Sequence, residues 1–103
     1  MLCPQQKATI TNKKNSSYVR NPKIAERSID DTVFLIDPDM DIVFYLDSLS
    51  TGIWHLLKEP LSIIDATNIV QQAFPDLPTN QIARDISKLF NDMIKRNLVL
   101  NDE

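Results

Sequence analysis

The chain has 103 residues, 43% of them apolar and 24% charged, with one Gly, six Pro, one Cys, one His and a formal net charge of -3. One Cys and one His fall short of the ligand set of a structural zinc site and allow no intramolecular disulfide, and a single Gly leaves no phosphate-cradling loop of the ATP or dinucleotide kind, so neither a metal nor a cofactor is expected. Charge is split: residues 1–29 carry six bases against one acid, whereas residues 30–103 carry five bases against thirteen acids, a balance that argues against tight duplex binding by the folded part.

Residues 1–21 are read as a polar, basic arm. Gln5, Gln6, Asn12, Asn15, Ser16 and Ser17 dominate it, and such a stretch buries too little to offset the entropy of ordering. Cys3 lies there with no nearby base, as an incidental thiol. No apolar centre of a secretory signal occurs in this arm, and no apolar run anywhere approaches the roughly 18 to 20 residues that cross a bilayer, so a cytoplasmic protein with no membrane partner is expected.

Residues 22–103 are read as one domain. Lys23 to Ser28 is a candidate short strand, followed by Thr32 to Ile36 and Ile42 to Leu46, both rich in β-branched and aromatic residues. Asp30 and Asp31 begin a turn between the first two. Between the last two, Asp37-Pro38-Asp39-Met40-Asp41 has the chemistry of a type I turn, because Pro presets φ and the Asp carboxylate can accept from a following backbone N–H. An antiparallel hairpin follows. The same stretch matches the opening of a calcium loop, but Ile42 stands where that loop needs Gly and Ser48 where it needs Glu.

Three helices complete the pattern. Leu49, Ile53, Leu56 and Leu57 share one helical face, flanked by Trp54 as a core or boundary aromatic, and Pro60 must end it. Ser62 and Asp65 have capping-box spacing for a second helix carrying Ile63, Ala66, Val70, Ala73 and Phe74 up to Pro75. Thr79 is the expected cap of the longest helix, with Ile82, Ile86, Leu89, Phe90, Met93 and Ile94 in a 3.6-residue stripe ending near Asn97. Leu98 to Leu100 reads as a final extended piece. The expected fold is α+β and winged-helix-like, a three-stranded antiparallel sheet packed on three helices. Apolar residues occupy both parities of the hairpin, so its sheet is either covered on both sides or left partly apolar for a partner.

The run Val43-Phe44-Tyr45-Leu46-Asp47, then Ile53-Trp54-His55-Leu56-Leu57, a capped helix and a long final helix bearing Ile82, Ile86 and Leu89 resembles the PqqD family, over roughly Lys23 to Val99. The best-matched part includes the Leu-Asp step, where Leu-Asn is commoner in the family; the departures are Ser50 at the place of the family's small residue four positions after the strand Leu, with Gly52 shifted by two, and a longer polar arm. The resemblance implies a recognition domain without chemistry of its own. Such a domain holds the leader of a ribosomally synthesised precursor peptide and presents it to a modifying enzyme, such as a radical SAM protein or a cyclase and protease set. It further implies that the leader adds as a strand along Ile42, Val43, Phe44, Tyr45 and Leu46, with a cleft wall from Ile82, Asp85, Ile86 and Leu89.

A free strand edge can template another chain on physical grounds alone. Main-chain bonds contribute only about 0.5 to 1.5 kcal/mol each against an association cost of roughly 4 to 15 kcal/mol, so apolar leader residues in the cleft must supply the difference. Arg84, Lys88, Lys95 and Arg96 are candidate partners for leader acids. No residue pair has catalytic spacing, since Ser48, Ser50 and Thr51 lack a base and read as cap and first-turn residues, and His55 reads as solvent-facing. Two other functions remain: a winged-helix DNA-binding regulator, for which the third helix has a weak basic excess, and an assembly module pairing the same edge with itself.

Overall fold

The computed structural model describes residues 16–102. Its elements are β1 (Ser17–Arg20), β2 (Ala25–Ile29), β3 (Thr32–Asp37), β4 (Ile42–Leu46), α1 (Ser48–Leu56), β5 (Leu61–Ser62), α2 (Ile63–Ala73), α3 (Thr79–Lys95) and β6 (Val99–Asn101). They form two three-stranded antiparallel sheets, in the orders β2-β3-β4 and β5-β1-β6, with three helices. No described helix is long and apolar enough to cross a membrane.

The first sheet is the expected one. Asp30 and Asp31, both at positive φ (50° and 68°), make a two-residue turn between the paired Ile29 and Thr32, the backbone shape that matches strand twist in tight hairpins. Asp37 accepts from the backbone N–H groups of Asp39 (3.1 Å) and Met40 (3.2 Å), closing the second turn as the Asp-Pro pair predicts.

The second sheet was not expected. Ser17–Arg20 falls inside the stretch read as an arm, yet it is the central strand of this sheet, pairing Tyr18 with Leu61 on one side and Asn101 on the other. Tyr18 is buried and packs its ring 5.6 Å from that of Phe90. One anchoring aromatic and partners 40 or more residues away in sequence order what local composition reads as coil. Residues 1–15 of the predicted arm, with Cys3, lie outside the described residues.

Asp47 caps α1, accepting from Ser50 N–H at 2.8 Å, and Ser62 caps α2, accepting from Asp65 N–H at 3.0 Å. The cap of α3 is not Thr79. Pro78 occupies that position without a side-chain bond, and its carbonyl accepts from Gln81 and Ile82 N–H (3.2 Å each), leaving Thr79 as the first helical residue. Ile82, Ile86, Phe90 and Met93 of α3 bury the expected stripe in one core that also holds Val33, Leu35, Leu46, Ile53, Trp54 and Leu57. Leu89 is only partly buried and Ile94 is exposed, at the two margins of that stripe.

Trp54 joins the sheets to the helices. It is 1% exposed, and its indole Nε1–H donates to Glu26 Oε1 at 3.0 Å. Arg20 lies 4.3 Å from the indole centroid, donates through Nε to the Trp54 carbonyl at 3.0 Å and pairs with Glu26 at 3.3 Å. Burial lowers the pKa of the Arg20 guanidinium from its ordinary value, and the Glu26 carboxylate opposes that shift. One indole thus ties β1, β2 and α1 into a single unit.

Candidate functional site

Position in the first sheet leaves β4 at its border: β3 lies on one side, and no described strand lies on the other. Its outer backbone groups are available to a further strand. Opposite residues in an antiparallel pair share a face, so the register sets the two sides of β4. Ile42, Phe44 and Leu46 lie opposite Asp37, Leu35 and Val33 on the core side. Val43 and Tyr45 lie opposite Ile36 and Phe34 on the outer side and are 61% and 68% exposed. The alternatives left by the apolar hairpin thus resolve toward a surface that is partly uncovered.

Beside this border, β4 and α3 enclose a cleft of about 430 Å³. Leu46, Leu89, Met93 and Leu98 supply its apolar surface, and Tyr45, Asp47, Ser50, Asp85, Lys88, Asp92 and Arg96 supply the rest. Helical geometry explains the α3 contribution, since Asp85, Leu89, Asp92 and Arg96 recur at intervals of three and four and share one face. Arg96 lies with its guanidinium 5.1 Å from the centroid of the Phe44 ring.

Of the nine residues expected at a peptide site, Tyr45, Leu46, Asp85 and Leu89 line this cleft. Ile42, Val43 and Phe44 belong to the same border strand but not to the cleft lining, and Phe44 packs against the core with Arg96 over its ring. Ile82 (3% exposed) and Ile86 (0%) do not reach the cleft, because their side of α3 is buried against the other elements. Asp47, Ser50, Asp92, Met93 and Leu98 were not singled out as site residues. Asp92 and Met93 follow from Leu89 by helical spacing, whereas Asp47, Ser50 and Leu98 come from other elements and carry no such signal.

Elsewhere, an apolar hollow of about 450 Å³ between α1 and α2, lined among others by Leu49, Ile53, Ile69 and Phe74, shares no residue with the cleft. Among the described residues no three His, Cys, Asp or Glu side chains are grouped to hold a metal ion.

Solved structures share this fold. One, described as "TbiB1 in Complex with the TbiA(beta) Leader Peptide", superposes with a TM-score of 0.70 at 20% identity, over 79% of this chain and 93% of that one. Another, "Lasso peptide synthetase B1 complexed with the leader peptide", gives 0.67 at 18% identity, over 81% and 96%. Comparison with curated proteins returns no match. The family model described as "Coenzyme PQQ synthesis protein D (PqqD)" matches residues 32–99, which take in β3, β4, all three helices and the start of β6, and the chain therefore belongs to the PqqD family.

Proposed function

We propose that the protein is a non-catalytic adaptor. It binds the leader of a ribosomally synthesised precursor peptide as an added strand along Ile42 to Leu46 and presents the peptide to a modifying enzyme. The observation that carries this reading is the border of β4, unpaired among the described residues and lying directly beside a cleft with apolar residues on its wall. Family membership supports it, as does the likeness in fold to proteins whose own descriptions name a bound leader peptide.

The two features divide the work of binding. Main-chain bonds to a free border are indifferent to sequence and contribute about 0.5 to 1.5 kcal/mol each, which a translational and rotational cost of roughly 4 to 15 kcal/mol consumes. Side chains must therefore decide both affinity and choice of partner. Leu89 is the apolar cleft residue with surface still open to a guest, while Leu46, Met93 and Leu98 lie deeper, each 7% exposed or less. Nothing in this scheme requires a bond to be made or broken by the protein itself.

A DNA-binding reading has less support. The charges on the exposed side of α3 and its C-terminal cap are mixed, with Asp85 and Asp92 interleaved among Arg84, Lys88, Lys95 and Arg96, so a phosphate backbone would meet carboxylates as well as bases. The test is titration of the precursor leader encoded beside this gene into ¹⁵N-labelled protein. Amide shifts concentrated in Ile42 to Leu46 and in α3 are the expected result; shifts confined elsewhere, or none at all, overturn the adaptor reading.

A further inference from the structure

Arg96 is the one cleft cation held on an aromatic ring, and that ring, Phe44, belongs to the border strand itself. The ion pairs found among the described residues are Arg20–Glu26 and Lys23–Asp39, so Arg96 has no carboxylate partner there although Asp92 stands four residues earlier on the same helix. A peptide laid along β4 would cover this guanidinium. Covering it without an anion leaves a desolvated, unpaired charge, whereas a carboxylate there makes a charge-assisted hydrogen bond.

Helix and strand repeats then locate that carboxylate. Along α3 the guanidinium-bearing residue lies about 4.5 Å beyond Met93 and about 10.5 Å beyond Leu89, at 1.5 Å rise per residue. An extended guest presents same-face side chains about 6.6 Å apart, so a residue seated between Leu89 and Met93 places its second neighbour at Arg96. Direction follows from the ends of the cleft. Its sheet-side wall runs from Tyr45 and Leu46 to Asp47 and Ser50 without Ile42 or Val43, so Arg96 marks the Phe44 end, and Asp85 lies toward Asp47. Lys88 offsets part of the negative charge at that end. Both strand pairs of this sheet are antiparallel, and a guest that continues the pattern enters at Asp47 and leaves past Phe44.

Resting on the adaptor reading, we propose that Arg96 is a specificity-determining residue: it selects leaders in which an apolar residue in the cleft is followed, two positions later, by Asp or Glu.

The test uses a displayed library of random twelve-residue peptides selected on the full-length chain, with winners synthesised and titrated into labelled protein. Winners that shift the amides of Ile42 to Leu46 are expected to carry the apolar-x-acid order. Arg96→Glu, which replaces an attraction with a repulsion of similar size, should weaken them about tenfold and Arg96→Lys by no more than about threefold, an exposed charge pair alone being worth up to about fivefold. Changing the peptide acid to Lys should reverse the preference, so that Arg96→Glu binds the altered peptide better than the unaltered protein does. This reciprocal swap is informative even if one protein variant melts early. Winners that shift Ile42 to Leu46 without the acid, or that bind Arg96→Glu equally, overturn the role of Arg96 and leave the adaptor reading standing. A library from which no peptide shifts Ile42 to Leu46 overturns the adaptor reading and this inference with it.

Discussion

Ile86→Ala and Leu89→Ala, three residues apart on α3, should separate folding from binding. Ile86 is fully buried in the core, so its truncation removes apolar contacts and leaves a void, at a cost of about 2 to 5 kcal/mol. In a chain of this size each kcal/mol is worth roughly 4 to 8 °C in Tm, so the Tm should fall by about 8 °C or more, and by about 20 °C at the middle of the range. Leu89 is partly buried in the free protein and lines the cleft, so a guest completes only the remainder of its burial. Taking about half of the roughly 1.5 to 3 kcal/mol for a fully buried Leu gives a loss near 0.8 to 1.5 kcal/mol, about a fourfold to twelvefold rise in Kd. Calorimetric melts and fluorescence-anisotropy titration of the leader, both well below the Tm of either variant, measure the two effects. A Kd for Leu89→Ala within twofold of the unaltered protein, with a tenfold rise for folded Ile86→Ala, would refute the assignment of the cleft wall.

Three further substitutions probe the framework. In an antiparallel strand successive residues aim their N–H groups to opposite sides, so of Val43→Pro and Phe44→Pro one should abolish leader binding with the fold intact, and the other should break the β3 ladder and lower the Tm; equal behaviour of the two by circular dichroism and anisotropy would contradict an open β4 border. Glu26→Ala strands the buried Trp54 Nε1–H and removes the partner of Arg20, and urea unfolding should show a loss of about 1 to 3 kcal/mol, with an unchanged midpoint disproving the coupling of β2 to α1. Asp31→Gly relieves a non-Gly residue at φ 68° in the turn before β3 and should raise stability by up to about 1 kcal/mol in the same assay; a destabilisation would show that Asp31 does more there than turn the chain.

The site was legible in part. The resemblance placed the border strand and the third helix side by side, and both are where the cleft forms. It also put Ile82 and Ile86 on the cleft wall, although helical spacing sets Asp85, Leu89, Asp92 and Arg96 on a neighbouring face. A heptad-like count cannot say which of two adjacent faces meets the core and which meets a gap, because that depends on how the helix is rotated against the sheet. Leu98 and Asp47 join the cleft only because β6 and the start of α1 converge on it.

From the residue order alone came the features governed by short-range chemistry: the turns at Asp30-Asp31 and Asp37-Pro38, the Ser62 cap, the helix ended before Pro60 and the amphipathic stripe of α3. Each is determined within a few residues, where sterics and local hydrogen bonds dominate. Only the tertiary structure decided that Ser17–Arg20 is a central strand, that Trp54 gathers Arg20 and Glu26, and that among the described residues β4 keeps one border open beside α3. Those outcomes depend on segments far apart in sequence being brought together. Whether a strand is covered or a side chain is buried is a property of what arrives next to it, and no local pattern records that.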